Sequence, residues 1–331
     1  MDRYFNLFSY CIPVRGCNRG VVCDLIRNMI QPVSLSVMDY LSATEPYLTL
    51  EEWSKGRTPL EIREVNEQIN HLFQSEFGYF SNHPILPRQF SLDASDDESQ
   101  ITNAIVDLDV FSTHTLIELV PQLKELGCKA LEVRIFYSLS FESLQELLHP
   151  LIDSGFEYIE VLVEHHPETK NDAYEILQHQ IPGLRKITVS RANENTIYHR
   201  DSFILMYTTE LIRNEAKCGV TGELYCVANV QLYQESLKHN NCLYKKISVD
   251  KYGYIKNCPS MNQSFGEVHS TRLMDALNHS KFRDYWHITK DQINVCKQCE
   301  LRYVCQDCRA YRMDMDDIYS KPMKCRYNPL K

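Results

Sequence analysis

The sequence predicts an α/β fold in three parts: a winged-helix-like module over residues 1–80, a degenerate partial (β/α) barrel over 101–210, and a loop-rich, metal-organised segment over 211–331. Three observations carry this reading. A strand pair followed by three helical stretches fills the first 80 residues. Strand-like runs then recur about every 27 residues between Ile101 and Ser202, the signature of βα units around a parallel sheet. Nine of the 13 cysteines fall after residue 215, where that period is lost.

The chain has 331 residues, of which 44% are hydrophobic and 24% charged, enough to bury a core in two or three domains. Its longest unbroken apolar run, for example Phe203 to Tyr207, is five residues, against about 20 for a membrane-spanning helix. No membrane association and no secretory signal are expected, and the expected location is the cytoplasm. Neither GxGxxG nor GxxxxGK[ST] occurs, so the two common phosphate cradles are not expected.

In the first part, Tyr4, Phe5, Leu7, Phe8 and Tyr10 suit one strand and Val21, Val22 and Leu25 the next, with residues 15–20 as the turn. Pro32 precedes a helical pattern through Leu35, Val37, Met38 and Leu41. Thr58-Pro59-Leu60-Glu61 reads as a capped helix start, followed by Ile62, Val65, Ile69, Leu72 and Phe73 at helical spacing. Residues 80–100 read as a linker. In the second part, strands are expected near Ile101, Lys129, Phe156, Leu184 and Ser202. Helices are expected through Leu116–Leu126 and Leu144–Ile152, each closed by a glycine, Gly127 and Gly155. Pro121 and Pro150 inside these patterns predict kinks or late starts. Only about half the length of a complete barrel is present, so an open or partial one is expected.

The third part carries the chemistry. Cys296, Cys299, Cys305 and Cys308 are spaced C-x₂-C-x₅-C-x₂-C, with Cys325 beyond. Upstream stand Cys242, then Gly253 and Cys258 as C-x₁₀-G-x₄-C. Converging thiolates of this kind suit zinc or an iron–sulfur cluster, and in a reducing compartment dense cysteines indicate metal more often than disulfide. Spacing alone leaves zinc and iron–sulfur open.

The whole pattern resembles a SPASM domain, the C-terminal extension of many radical SAM peptide-modifying enzymes, although this block closes with C-x₂-C where the family has C-x₃-C. Residues 257–261 (NCPSM), 282–291 (FRDYWHITKD), 299–311 (CELRYVCQDCRAY) and 4–16 (YFNLFSYCIPVRG) resemble a narrower group, the SPASM peptide maturases of grasp-with-spasm cassettes. The resemblance implies a maturation factor for a ribosomally made precursor peptide that acts with an ATP-grasp ligase, with leader recognition in residues 1–80. It implies two iron–sulfur clusters, 4Fe-4S in type. Cys242, Cys258 and Cys308 would share one, with Cys226 as its fourth ligand or an iron left open. Cys296, Cys299, Cys305 and Cys325 would hold the other. The C-x₃-C-x₂-C triad of radical SAM chemistry is missing near Val106–Asp109, and no cysteine lies between Cys23 and Cys128. SAM is therefore not an expected cofactor. Whether the chain is an enzyme stays open between a redox or radical-type catalyst, a non-catalytic adaptor presenting the precursor to the ligase, and a zinc-stabilised interaction module.

Charge is uneven. Residues 1–210 hold 16 Lys and Arg against 31 Asp and Glu, a net of −15, while 211–331 hold 19 against 13, a net of +6. The basic third reads as compensation for cluster thiolates, and no nucleic-acid partner is expected. Lesser candidates are His165 and His166 after Glu164 at a strand end, which read as a solvated loop. Arg134 reads as an anion site or a salt-bridged core residue. Asp107 and Asp109 read as a polar lining, and the hairpin thiols Cys11, Cys17 and Cys23 as ordinary buried or free cysteines.

Overall fold

In the computed structural model, which describes residues 3–42, 47–83, 85 and 99–330, the alternating middle of the chain builds a mixed α/β body around a large, mostly parallel sheet. The chain divides into two compact units. The first comprises Met1–Ser95, Val220–Cys242 and His287–Lys331, the second Asp96–Gly219 and Leu243–Trp286. Residues 211–331 therefore contribute to both. Most of the linker expected at 80–100 lies outside the described residues. No helix among the described residues is long and apolar enough to cross a membrane.

In the first unit the strands are Tyr4–Leu7 (β1), Cys11–Arg15 (β2), Gly20–Asp24 (β3), Met29–Val33 (β4) and Gly78–Ser81 (β5). β2 and β3 form the hairpin across the expected turn. Its first strand is not the aromatic run at residues 4–10, because β1 pairs with β5. The third strand of the sheet is β4, returned by a tight turn that the spacing did not reveal. There the Asp24 carboxylate accepts from the amides of Ile26 and Arg27 at 2.9 and 2.8 Å, and Asn28 takes a left-handed φ of 54°. Both are uses to which short Asx side chains are suited.

Three helices follow: Leu35–Leu41 (α1), Leu50–Ser54 (α2) and Pro59–Gln74 (α3). Thr58 caps α3 in a reciprocal box with Glu61, and Thr49 caps α2 with Glu52 in the same way. β3 is buried along its whole length because both faces of the sheet are covered. Val22 packs with Val37, Met38, Val65, Ile69 and Leu72 of α1 and α3. Val21 and Cys23 pack on the other side with Ala228, Leu301, Val304 and Cys305. Full burial of each valine contributes about 1.5–3 kcal/mol. The cysteine-rich block thus closes one face of the N-terminal sheet, and residues 1–80 share a core with it.

In the second unit, Asn103–Leu108 (β6), Ala130–Ser138 (β7), Tyr158–Glu164 (β8), Leu184–Ser190 (β9), Thr196–Arg200 (β10), Phe203–Tyr207 (β11), Lys246–Val249 (β12) and Ile255–Lys256 (β13) form one sheet. Its order is β10-β11-β9-β8-β7-β6-β12-β13. Neighbours from β11 to β12 run parallel, and the two edge strands are antiparallel. The expected helices are present as Leu116–Glu125 (α4), with Pro121 inside it, and Phe141–Leu148 (α5), which passes into a 3₁₀ turn at His149–Leu151. Gly127 and Gly155 follow with φ of 77° and 76°, as helix termination requires. A further helix, Asn171–Gln180 (α6), joins β8 to β9. Successive strands β6 to β9 lie side by side in chain order. The helices α4, α5 and α6 make the connections between them in turn.

Candidate metal centre

Cys296, Cys299, Cys305 and Cys325 line a single pocket in the first unit, together with Lys290. The local chain explains the gathering. Cys296–Gln298 is one 3₁₀ turn in which the Cys299 amide donates to the Cys296 carbonyl at 2.9 Å, so the C-x₂-C spacing folds back on itself. Val295 enters this turn at a φ of 68°, a conformation that strains a β-branched residue. Cys305 is held opposite Cys226 in an isolated antiparallel bridge. The Asn241 side-chain amide donates to the Cys305 carbonyl at 3.1 Å.

The electrostatics favour negative sulfur at one place. Lys290 Nζ lies 3.5 Å from Cys305 Sγ, 3.1 Å from the Gln306 carbonyl and 4.0 Å from the Asp307 carboxylate. Burial opposes charge on Lys290, but Cys305 and Asp307 outweigh it and hold the amine above its usual range. The neighbouring Cys226 thiol and the ammonium draw Cys305 below the usual thiol range against its burial. The neighbouring Cys305 and burial push Cys226 up. Burial pushes Cys296 up to about 11 and Cys299 to about 12, so both are protonated near neutral pH and a metal binding there would have to displace their protons. At the pocket's edge Arg19, from the N-terminal turn, reaches Glu300 at 2.6 Å and Tyr327 Oη at 3.1 Å.

Among the described residues, no three His, Cys, Asp or Glu side chains converge tightly enough to hold a single metal ion. Four thiols lining one pocket are donors of the kind that both zinc and iron–sulfur groups take.

The set Cys242, Cys258 and Cys308 is divided between the units: Cys242 and Cys308 belong to the first and Cys258 to the second. Asn240 and Asn241 bind Cys242 to the Cys305–Cys308 loop. Asn240 donates to Asp307 at 2.7 Å and accepts from the Cys242 amide at 3.2 Å, while the Asp307 amide donates to Asn241 at 2.9 Å. Burial and the neighbouring Cys242 push Cys308 up, while the amides of Tyr311 and Ala310 draw it down. Cys226 sits against Cys305 of the pocket set.

In the second unit, the register sets Asp107 of β6 opposite Arg134 of β7. They form a buried two-bond ion pair at 2.6 and 2.8 Å, the salt-bridged form of Arg134. Its other nitrogen donates to Cys218 Sγ at 2.8 Å. Burial pushes Asp107 up against the pull of Arg134. Asp109 pairs with Lys251 at 3.5 Å. His165 and His166 stand half-buried past β8, and Glu164 pairs with Arg191 at 2.7 Å. In the first unit, Cys11 belongs to the helix-side core, Cys23 to the opposite one, and Cys17 donates to the Pro329 carbonyl at 2.7 Å, so the hairpin thiols do not gather.

Sequence reasoning missed Lys290, the Arg19–Glu300–Tyr327 group, the Asn240–Asn241 pair and Cys218. Lys290 lies within the FRDYWHITKD stretch, but a single lysine carries no spacing signal. The two asparagines beside Cys242 were the legible clue, since Asn side chains readily hydrogen-bond loop backbone. Compared with known proteins, the chain matches no family model, and no curated protein matches it.

Proposed function

We propose that the pocket holds an iron–sulfur cluster on Cys296, Cys299, Cys305 and Cys325, and that the chain is a maturation factor for a ribosomally made peptide, acting with an ATP-grasp ligase. The observation that carries this is the meeting of those four cysteines, spread over 30 residues, around one pocket with a buried ammonium. When bound, such auxiliary clusters pass electrons or hold a substrate group at an open iron. The chain's own residues enclose the pocket, and Lys290 offsets thiolate charge.

On this reading the sheet β2–β4 with α1–α3 is a winged-helix-like leader-recognition module, the ordered run β6 to β9 a partial (β/α) barrel, and the cysteine-rich stretch a SPASM domain. β4 is an edge strand of its sheet, and a peptide strand can add to such an edge through main-chain hydrogen bonds. The test is co-expression of a candidate precursor and its ATP-grasp ligase with and without this chain, read by peptide mass. Loss of water from the precursor is expected only when the chain is present. The same modification in its absence would contradict the proposal.

A further inference from the structure

Cys226 and Cys305 face each other directly across an isolated antiparallel bridge. The Val227 amide donates to the Val304 carbonyl at 2.8 Å, so the bond joins the residues flanking the cysteines and leaves the two as a non-hydrogen-bonded pair. In such a pair the Cα atoms stand about 4.5 Å apart with their side chains close together. A disulfide accepts Cα separations of about 4.4–6.8 Å. Neither thiol is locked away: Cys226 donates to the Gly222 carbonyl at 3.5 Å and Cys305 to the Gln306 carbonyl at 3.4 Å. Both backbones are pinned: the Ala228 amide donates to Asn28 at 2.7 Å, and the Cys305 carbonyl accepts from Asn241. Cys226 is only half-buried, and Cys305 lines the pocket.

We propose that Cys226 and Cys305 close a reversible disulfide in the metal-free protein, with a small-molecule disulfide as the oxidant. One cysteine, as its thiolate, attacks a sulfur of the oxidant, forming a mixed disulfide and releasing the first small thiolate. The second cysteine, deprotonated in turn, attacks the protein sulfur of that mixed disulfide and expels the other small thiolate. Both leaving thiolates take up the protons that the two cysteines give up. The protein pair is oxidised by two electrons, and one small disulfide is reduced to two thiols. Small dithiols reverse the exchange by the same route. Cys226 is thus a resolving thiol for Cys305. The consequence that closure withdraws Cys305 from cluster assembly rests on the cluster reading above. The disulfide itself does not, so the two ideas fail separately.

The experiment uses the full chain, purified metal-free under reductant, desalted and incubated with oxidised glutathione. Remaining thiols are then alkylated and the peptides mapped by mass spectrometry. Cys226 and Cys305 are expected as one linked peptide pair, both protected from alkylation and both restored by dithiothreitol. In Cys226→Ser, Cys305 is expected to retain glutathione as a mixed disulfide, because the thiol across the bridge that resolves it is gone. Alkylation of both cysteines after the same treatment, or predominant linkage of either one to another cysteine, overturns the proposal.

Discussion

Lys290 Nζ lies 3.5 Å from Cys305 Sγ inside the first unit, with both residues buried. A lysine placed there is stable only with negative partners, and its neighbours are a thiol and the Asp307 carboxylate. Asp307 is in turn held by Arg309 at 2.6 Å. The pocket therefore favours negative sulfur at Cys305.

Lys290→Met removes that cation while filling its volume. Asp307 keeps Arg309, so the expected loss is that of a buried charged hydrogen bond, about 1.5–3 kcal/mol. Urea unfolding of the metal-free protein measures it, and iron retained on gel filtration is expected to fall as well. Unchanged iron content would mean the ammonium plays no part at the pocket.

Asp107→Asn leaves Arg134 buried without its charge partner, and a loss of about 3–5 kcal/mol is expected. Replacing both, as Asp107→Leu with Arg134→Met, is expected to recover most of it, because the desolvation of two charges is then avoided. Denaturant midpoints of the three variants against the parent read this directly. A double variant as unstable as the single one would contradict the account of the pair.

Acid stability reports on Asp24. Burial pushes its carboxyl up, but the Arg27 amide and guanidinium and the Ile26 amide overcome this and lower it below 3.8. A carboxyl lowered by folding adds stability above its unfolded value and loses it as pH falls through the folded one. The advantage of the parent over Asp24→Asn is therefore expected to be constant from pH 5 to 7 and to shrink below about pH 4. An advantage that grows on acidification would reverse the sign.

Leader recognition is tested on the full chain, because residues 1–80 share the Val21–Cys23 core with Leu301 and Val304. Titration with a synthetic leader peptide from an adjacent precursor gene is expected to show micromolar binding by calorimetry. Folded protein that shows no heat at high micromolar peptide would count against it.

SAM chemistry is predicted to be absent from this chain alone. β6 carries no cysteine triad at its end, and Asp107 within it is paired with Arg134 beside Cys218. Reduced, reconstituted protein with SAM and precursor is expected to form 5′-deoxyadenosine no faster than the dithionite blank. Turnover that is lost on replacing Cys11, Cys17 or Cys23 would overturn this.

The parallel strands were legible because β6 to β9 are apolar runs bounded by helical stripes and terminal glycines. α6 was not: Tyr174, Leu177 and Ile181 make a short stripe, and Lys170 supplies no side-chain cap. β10 escaped notice because an edge strand with exposed residues shows no apolar face. The pairing of β1 with β5 and the insertion of β12 beside β6 join residues more than 70 positions apart, which no local period encodes. At the candidate site the cysteine spacing announced the thiols. Their electrostatic partner, Lys290, and the Cys226–Cys305 bridge emerge only when distant segments meet.

The most direct test of the central claim is the metal content of anaerobically purified full-length protein, measured as iron, zinc and acid-labile sulfide together. The account predicts iron and sulfide in near-equal amounts, decreasing by one cluster in Cys296→Ala or Cys299→Ala, with partial unfolding of the coupled loops. Stoichiometric zinc without sulfide would contradict it.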